Sequence, residues 1–473
     1  MSHEIKADYK QMLMFPPCVE DWVPCNHPAR FIREIVSAMD LKALGFKISE
    51  GEDGRPHYAE EMLLKIWLYG YYNKIKSVRE LEKACMENLS FIWLTGNNTP
   101  DHNTLWRFYR DNKKAIRKVF KQSVKVAMNS SLVGMVIHAL DGTKIKSAAS
   151  SRKMLSKKSL EKALKQLDQR IEEIEKGVET AIKEQGETGW AMPEELSDAK
   201  TLRETVMRGL EILNGQGVNN LSVVDTQARV MKTSEGNKLG YNAQAISDNK
   251  SGLIIAIDVV NEENDSHQLL PMLEETKATL DGHTAEDTLA DGGYSNGEQI
   301  AAARDAEYEF ILPMEAEKGG EFHTSKFKHN EEKNKVICPM GQELKFERIK
   351  ESKNGKYEIR VYRCVCGSEC KRSSECTRDK NGRSIDIAPW DKQVHAQIEK
   401  QKDKDKRCKL KRRGETIEVV FAGIKQGFGF RRFTVHGLEN VKTQWALVCT
   451  AFNFKKLYKL WLSGELKIAL KRA

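Results

Sequence analysis

The segment VIHALDGTKI, residues 136–145, decides how this chain folds, because an apolar, strand-like run ends there in an aspartate followed by glycine. The segment DTLADGGYSN, residues 287–296, repeats the pattern, and Asp291 occupies the position that Asp141 holds in the first segment. Each pattern predicts a β-strand that ends at its acidic residue. The sequence therefore predicts two strand-end aspartates.

A third acidic residue, Glu418, lies in RRGETIEVVFAGIK, residues 412–425. Its apolar neighbours recur at the spacing of an amphipathic helix. Glu418 stands at the edge of the apolar stripe, and Lys425 follows seven residues later, about 10 Å along the same face. The residues predicted to form the buried stripe are Ile417, Val420, Phe421 and Ile424.

Two strand-end aspartates and one helical glutamate can converge on a pair of divalent cations. Sites built only from oxygen ligands suit Mg²⁺ or Mn²⁺, and paired cations promote in-line attack on phosphodiesters. A lone surface carboxylate is ordinarily just solvated. The combination of Asp141, Asp291 and Glu418 instead favours a catalytic two-metal site.

The chain also resembles a known family, through segments that occur in a fixed order. It is similar to bacterial insertion-sequence transposases of the DDE type, in the group with an InsH-like N-terminal domain and a cysteine-containing insertion. The resemblance implies an RNase H-like catalytic core with Asp141, Asp291 and Glu418 as ligands of two Mg²⁺ or Mn²⁺ ions. The segments are HALDGTKI (138–145), VVDTQARVM (223–231), GYNAQ (240–244), LADGGYSN (289–296), IEVVFAGIKQGFGFRRF (417–433) and HGLENVKTQWALVCTAFNFKKL (436–457).

The sequence departs from the family around the glutamate. Related transposases carry the signature Y-x2-R-x3-E-x6-K, which Glu418 and Lys425 fit. Position 411 is Lys in place of Tyr, and position 414 is Gly in place of Arg. Arg413 is the neighbouring arginine, so the departure concerns the hydrogen-bonding roles of two positions and not the metal ligands.

Composition limits the class of protein. The chain has 473 residues, enough for two or three domains, and a net charge of +9, which is expected of a protein that binds the phosphate backbone. The first seventeen residues contain no apolar stretch typical of a secretory signal, and no apolar run is long enough to span a membrane. We therefore expect a bacterial, cytoplasmic, nucleoid-associated protein whose ten cysteines are reduced or bind metal.

Residues 1–130 are predicted to form an all-helical DNA-binding domain. One amphipathic helix is expected over residues 59–72, and another, capped by Asp101, is expected to continue through residue 120. Several short helices suit a helix-turn-helix-like reader, with Arg107 and Arg110 as DNA contacts. The alternative is a helical packing domain with a solvated basic face.

Residues 131–457 are predicted to form the catalytic domain, an α/β unit with a mixed sheet flanked by helices. Its expected order is three strands, helix, strand, helix, strand, which an RNase H-like core requires. A helical hairpin at 149–217 is expected to interrupt it. This hairpin either folds on itself or against the core, or it contributes to dimer contact or DNA clamping. Residues 458–473 form a basic C-terminal tail.

A second, cysteine-rich insertion is predicted at residues 316–400. Four thiolates are the number that a closed structural zinc site needs. The spacing is looser than that of paired CxxC motifs, so metal-free thiols are the alternative, and Cys364 is a substitute for Cys366. The predicted zinc ligands are Cys338, Cys366, Cys370 and Cys376.

The run Lys400–Arg413 is strongly basic and leads directly into the glutamate helix. Such runs are usually only solvated, but positive charge on both sides of an acidic metal site suits a polyanion. We therefore expect DNA phosphates to be contacted around the site by Lys144, Arg413, Lys425, Arg431 and Arg432.

These features predict a transposase that cleaves at the ends of its element and joins the freed 3′-OH to target DNA. By the family resemblance it binds terminal inverted repeats and acts on double-stranded DNA as a multimer, at least a homodimer. Two alternatives are a transposase-derived DNA-binding regulator without cleavage and a stand-alone metal-dependent nuclease.

Overall fold

A computed structural model gives the fold. It describes residues 18–48, 57–150, 154–185, 194–217, 220–222, 224–233, 236–314, 320–330, 333–352, 355–364, 370–379 and 381–466. Cys366 and the end of the predicted basic tail, from residue 467, lie outside the described residues. Within the described part of the chain, none of the helices has the length and apolar character needed to cross a membrane.

The N-terminal region is helical, as predicted. Its apolar side chains join those of the sheet region in one continuous core. The helices are α1 (Pro28–Ser37), α2 (Leu41–Leu44), α3 (Glu60–Tyr72), α4 (Val78–Glu87), α5 (Leu89–Thr95), α6 (His102–Asp111) and α7 (Lys113–Asn129).

The helix predicted to run on from Asp101 is in fact two helices. Asp101 caps α6 as expected, because its side chain accepts a hydrogen bond of 2.8 Å from the backbone N–H of Thr104. Asn112 then separates α6 from α7. Its amide donates to the carbonyl oxygen of Phe108 at 3.1 Å, and such a local bond competes with helix continuation.

The centre of the molecule is a mixed sheet, as the fold class required. Its strands are ordered β4-β5-β1-β7-β8, and β6 also pairs with β5, at residues 242–247. The β1–β7 and β7–β8 pairs are parallel, and the other pairs are antiparallel. The strands are β1 (Ile137–Lys146), β4 (Arg229–Thr233), β5 (Gly236–Asp248), β6 (Ile254–Val260), β7 (Asp287–Leu289) and β8 (Phe310–Ile311).

The chain order around this sheet follows the predicted one except that four strands of the sheet, not three, precede the first helix. Helix α10 (Leu269–Thr279) precedes β7, and α11 (Gly297–Asp305) separates β7 from β8. The long helix α16 (Leu438–Leu462) packs against α3, α7 and β6. Trp445 of α16 is fully buried, and its indole N–H donates to the carbonyl oxygen of Gln244 on β5 at 3.1 Å. This helix therefore joins the N-terminal helices to the sheet.

Two further units branch from the core. A short ribbon of β2 (Met154–Ser156) and β3 (Asn220–Ser222) leads into two helices, α8 (Lys157–Gln185) and α9 (Glu194–Gln216), which pack against each other. Leu160, Val206 and Leu213 form their small shared core. The second unit is a sheet ordered β13-β12-β11-β10-β9. Its elements are β9 (Lys328–Asn330), β10 (Lys335–Ile337), β11 (Glu343–Glu351), β12 (Glu358–Cys364), α12 (Ser373–Cys376) and β13 (Ser384–Ile387).

Candidate active site

Asp141 lies on β1, and Asp291 lies just beyond the end of the adjacent parallel strand β7. The last register pair between β1 and β7 is Ala139 with Leu289, so each aspartate follows its strand's last paired residue by two positions. Side chains two residues apart on a strand point to the same face. The predicted convergence of these two carboxylates therefore has a simple origin in strand register.

The prediction that β1 ends at Asp141 is wrong. The strand continues to Lys146, because residues 142–146 keep pairing with β5. Only the pairing with β7 stops before Asp141, which opens one side of β1 at that point. Asp141 is therefore an interior strand residue beside a gap in the sheet, and its side chain is 17 % exposed.

Glu418 arrives on a helical segment whose apolar stripe is buried as predicted. Two further helices precede it, α13 (Asp391–Lys400) and α14 (Lys404–Arg413). A π-helical turn, Gly414–Glu418, follows α14 and is succeeded by α15 (Val419–Ala422) and a second π-helical turn, Gly423–Gly427. The Glu418 side chain is 66 % exposed, so its carboxylate is open to solvent at the end of the first π turn.

Arg413 connects the aspartate of β1 to this helix. Its Nη1 donates to Asp141 Oδ2 at 2.8 Å, and its Nη2 lies 3.9 Å from Glu418 Oε1. The guanidinium is 20 % exposed, so the pair with Asp141 is largely screened from water. Arg413 was predicted as a DNA contact, and in this structure it binds the candidate catalytic carboxylates.

The electrostatic environment disfavours several negative charges at once. Burial raises the pKa of Asp141, and the nearby Asp291 raises it further, while Arg413 and the Gly142 N–H oppose this rise. Tyr294 is buried beside the same carboxylates. Burial raises the pKa of its hydroxyl well above the usual value, and Asp265, Asp141 and Asp291 add to the effect. A cation would relieve this repulsion.

Sequence reasoning missed Asp265. It lies in the polar segment NEENDSHQ, residues 261–268, where neither a strand end nor a helical stripe marks it. Its Oδ1 accepts hydrogen bonds from Asn242 at 2.6 Å and Gln244 at 2.7 Å, and Lys144 Nζ lies 3.4 Å away. The GYNAQ segment, which contains both amides, was the available signal.

The donor chemistry of the site fits hard divalent cations, because Asp141, Asp291 and Glu418 offer only carboxylate oxygens. Their placement is not that of a formed metal cage: among the described residues, no group of three or more His, Cys, Asp or Glu side chains is arranged to hold a metal ion. Arg413 stands between two of the three carboxylates. Binding of cations would therefore require local rearrangement of Arg413 or Glu418.

The predicted DNA contacts differ in what they bind. Arg432 Nε donates to the carbonyl oxygen of Ser147 at 2.9 Å, so this side chain helps to fix the segment after α15 to the end of β1. Arg431 is exposed, and its Nε reaches the carbonyl oxygen of Lys425 at 3.4 Å. In the N-terminal region Arg110 pairs with Asp111, and Arg107 donates to the Thr104 hydroxyl at 3.3 Å.

Part of the basic run before Glu418 serves the fold. Lys406 and Lys409 on α14 bind the carboxylate of Asp287 at distances of 2.7 and 2.6 Å. Asp287 is the first residue of β7, and its side chain is 1 % exposed. Lys400 pairs with Glu309. The two contacts with Asp287 anchor α14, the helix that carries Arg413, to the sheet, and the Lys400 pair anchors the end of α13.

The predicted zinc ligands that the structure describes border one cavity, but among the described residues they are not arranged to hold a metal ion. Cys338, Cys364, Cys370 and Cys376 border a common cavity in the small sheet. Cys338, Cys370 and Cys376 are free thiols, whereas Cys364 is disulfide-bonded, contrary to the expectation of reduced cysteines. Burial raises the pKa of Cys376, although Arg383 opposes the rise, and Cys338 and Cys370 raise it further.

Two family models match separate parts of the chain. A model of the transposase DDE domain matches residues 337–458, which include Glu418 but neither Asp141 nor Asp291. A model described as a transposase domain (DUF772) matches residues 17–111 in the N-terminal region. No curated protein matches the chain. A transposase DDE domain implies an RNase H-like core, in agreement with the mixed sheet and flanking helices. The chain is therefore similar to transposases over these two segments, and the DDE-domain match includes one of the three candidate catalytic residues, Glu418.

Proposed function

We propose that the protein binds the terminal inverted repeats of an insertion sequence, cleaves phosphodiester bonds at the element ends, and joins the 3′-OH to target DNA. One observation carries the proposal: Asp141 lies on β1 and Asp291 just beyond the end of the adjacent parallel strand β7, and Arg413 links Asp141 to Glu418. These contacts support a proposed site at the opening of the sheet beside β1, to which β1, the segment after β7 and one helix each contribute an acidic residue.

In the proposed mechanism, Asp141, Asp291 and Glu418 would hold two Mg²⁺ or Mn²⁺ ions. Bound divalent cations would activate the attacking oxygen and stabilise the leaving 3′ oxygen. In the first step water attacks the phosphorus, a new P–O bond forms, and the P–O3′ bond breaks with a proton passing to the 3′ oxygen. In the second step the freed 3′-OH attacks a target phosphate and displaces a 3′ oxygen of the target.

The side chains around the centre have separate proposed roles. Arg413 offsets the charge of Asp141 and Glu418 before cations bind, and then turns to a DNA phosphate. Lys144, Lys425 and Arg431 hold backbone phosphates, while the N-terminal region reads the element end through Arg107 and Arg110.

Because an element has two ends, the active form on DNA is proposed to be a homodimer. The proposed location is the bacterial cytoplasm at the nucleoid.

The test is an assay of end cleavage and joining. The DNA that flanks the gene should contain inverted repeats, and a labelled duplex ending in one of them is incubated with the protein and Mg²⁺ or Mn²⁺. Joined products support the transposase. Hydrolysis without joining indicates a stand-alone nuclease, and binding without cleavage indicates a DNA-binding regulator. A duplex with a scrambled end is the matched control.

We also propose a structural zinc site in the small sheet, formed by Cys338, Cys370, Cys376 and one of Cys364 and Cys366 in the reduced protein. The shared cavity supports it, as does the backbone N–H of Gln342, which donates to Cys338 Sγ at 3.3 Å. The hydrophobic core in the described part of this unit is a cluster of only six buried apolar side chains, so a metal would add stability that the core cannot supply.

Metal analysis of protein purified under reducing conditions tests the zinc site. About one zinc per chain is expected for a four-thiolate site. A Cys370→Ser variant should lose zinc and become more sensitive to proteolysis in the small sheet. Cys408→Ser, which changes an exposed cysteine on α14, should do neither. Absence of zinc from the reduced wild type would contradict the proposal.

A further inference from the structure

Asp265 is held by an unusual concentration of donors directly beside the candidate active site. The amides of Asn242 and Gln244 and the ammonium of Lys144 all approach the same oxygen, Oδ1. Asn242 and Gln244 are fully buried on β5, and the side chains of Lys144 and Asp265 are 19 % and 18 % exposed. A carboxylate in this position is therefore fixed by rigid groups and paired with a largely sheltered cation.

A chain of oriented hydrogen bonds continues from Asp265 into the core. Gln244 Nε2 donates to Asp265, while Gln244 Oε1 accepts a hydrogen bond from the hydroxyl of Tyr294. The Gln244 backbone is held in turn by the indole of Trp445. Because each amide atom has one partner of the right kind, the orientation of Gln244 is determined, and so is that of Tyr294 in the loop after Asp291.

Two glycines leave the room that this arrangement requires. A Cβ atom at position 142 would lie 2.5 Å from both Asp265 Oδ1 and Gln244 Nε2. A Cβ atom at position 293 would lie 2.9 Å from Asp291 Oδ1 and 3.7 Å from Asp265 Oδ2. Each glycine follows a candidate metal ligand within two residues. Asp265 therefore reaches the backbone beside both aspartates, and within the described residues its Oδ2 receives no hydrogen bond.

We propose that Asp265 is a positioning residue of the catalytic centre, which holds Lys144 and the Gln244–Tyr294 pair in place against strand β1, which carries Asp141, and the segment that carries Asp291. Lys144 lies three residues after Asp141 on β1 and so points from the opposite face of the strand. Its ammonium lies 3.4 Å from Asp265 Oδ1, on the face of the sheet that carries Asn242 and Gln244, and in this proposal Asp265 keeps it available to a phosphate of bound DNA. This inference rests on the proposed function and adds a residue to its machinery.

The negative charge is what the role requires. An Asn side chain at 265 has nearly the same shape, but its single carbonyl oxygen cannot pair with the Lys144 ammonium as a carboxylate does. Asp265→Asn should therefore release Lys144 while the sheet keeps its fold. If Asp265 only competed with DNA for Lys144, removing its charge would have the opposite effect and strengthen DNA binding.

A double-mutant cycle on the full-length protein tests the proposal with Asp265→Asn, Lys144→Met and the double variant. The measurements are the end-cleavage rate at saturating DNA and the affinity for the same end without divalent cations. We expect each single change to slow cleavage by about 10- to 100-fold, as for other residues that orient a metal centre. Asp265→Asn should also weaken binding, and the double variant should resemble Lys144→Met alone, since the two residues act as one unit.

The exposed pair of Lys125 and Asp281, 2.8 Å apart and outside the site, is the matched control. The cycle with Lys125→Met and Asp281→Asn should leave cleavage and binding unchanged. Additive effects of Asp265→Asn and Lys144→Met, or tighter DNA binding by Asp265→Asn, would overturn the positioning role.

Should the wild type bind the end but never cleave it, the proposed function fails. The double-mutant cycle in DNA affinity then still tests the role of Asp265. Non-additive losses of affinity in Asp265→Asn and Lys144→Met support the positioning role, and additive losses or no loss overturn it. A thermal melt of each variant shows whether it is folded. A fall in melting temperature that accounts for the whole loss of binding would also overturn the proposal.

Discussion

Arg413 and Glu418 are five residues apart, yet Arg413 Nη2 lies 3.9 Å from Glu418 Oε1. In a regular α-helix the facing residues are three or four positions apart. The intervening turn, Gly414–Glu418, is π-helical, and its i→i+5 hydrogen bonds accommodate one extra residue. Arg413 therefore reaches the glutamate from one position earlier than the arginine of the family signature, which explains how glycine can occupy position 414.

Loss of one carboxylate should stop the chemistry and spare DNA binding. In Asp291→Asn the amide oxygen can still accept the 2.7 Å bond from the Gly293 N–H, but the charge for a cation is gone. We expect the end-cleavage rate to fall by roughly 10³-fold or more, because metal stabilisation of the transition state amounts to several kcal/mol. Asp305→Asn, at the exposed end of α11, should cleave normally. Undiminished cleavage by Asp291→Asn would exclude it as a ligand.

Arg413 and divalent cations should substitute for each other in stabilising the site. Arg413→Gln leaves Asp141 without its charged partner and should lower the free energy of unfolding by about 1–3 kcal/mol in the absence of metal. Added Mn²⁺ should then raise the melting temperature of the variant more than that of the wild type. The neighbouring Arg412→Gln, which changes an exposed side chain, should show neither effect. If Mn²⁺ raised the melting temperatures of the wild type, Arg413→Gln and Arg412→Gln equally, this account would be refuted.

Gly414 should make the helix less stable while leaving room for the Glu418 carboxylate. A Cβ at 414 would lie 3.2 Å from Glu418 Oε1, so Gly414→Ala pushes the carboxylate by a few tenths of an ångström. We expect slower cleavage together with a gain of up to about 1 kcal/mol in the free energy of unfolding, since alanine favours helix. Gly427→Ala is the control, because nothing lies within 4 Å of its Cβ. Denaturant unfolding and the cleavage assay measure both effects.

Acid should loosen the helix that carries Arg413. Burial alone would raise the pKa of Asp287, but Lys406 and Lys409 outweigh it, so the pKa is lowered in the folded protein. A lowered pKa stabilises the fold above the unfolded value of about 3.9, and that stabilisation is lost as pH falls through the folded pKa.

Asp287→Asn should lower the free energy of unfolding by about 3 kcal/mol at neutral pH. This value is at the lower end of the range for breaking a buried ion pair, because both lysines can still reach water. Its stability should also change less with pH below about 4 than that of the wild type. Asp386→Asn, which breaks an exposed pair with Lys350, should lower the free energy of unfolding by less than about 1 kcal/mol. Urea unfolding at a series of pH values provides the comparison, and parallel pH curves for Asp287→Asn and wild type would contradict it.

The adjacent Arg431 and Arg432 should give different phenotypes. Arg431→Ala removes an exposed cation and should reduce the salt dependence of DNA binding by about one unit of slope, without a change in melting temperature. Arg432→Ala removes the bond to the Ser147 carbonyl oxygen and should mainly lower stability, by about 1–2 kcal/mol. Binding titrations over a range of salt concentrations, with thermal melts, separate the two. The reverse assignment of phenotypes would show that Arg432 is the phosphate contact.

Much of the fold was accessible from the sequence because its determinants are local. The apolar runs before Asp141 and Asp291 predict strands, and the stripe around Glu418 predicts a helix that buries one face. The chain order of strands and helices around the sheet follows from these periodicities. The helix break at Asn112 was missed, because a single asparagine alters propensity too little to outweigh the surrounding pattern.

What the sequence by itself determined about this protein is therefore the identity of the elements and of three acidic residues with a shared chemistry. Only the tertiary structure decided what those residues contact. The β1–β7 register sets Asp141 beside the segment that carries Asp291, and the π-helical turn brings Arg413 to both Asp141 and Glu418. The fold also brings Asp265 from a polar loop against buried amides of β5. The physical reason is that ion pairs and hydrogen bonds between distant segments depend on strand register and helix packing, which no local pattern encodes.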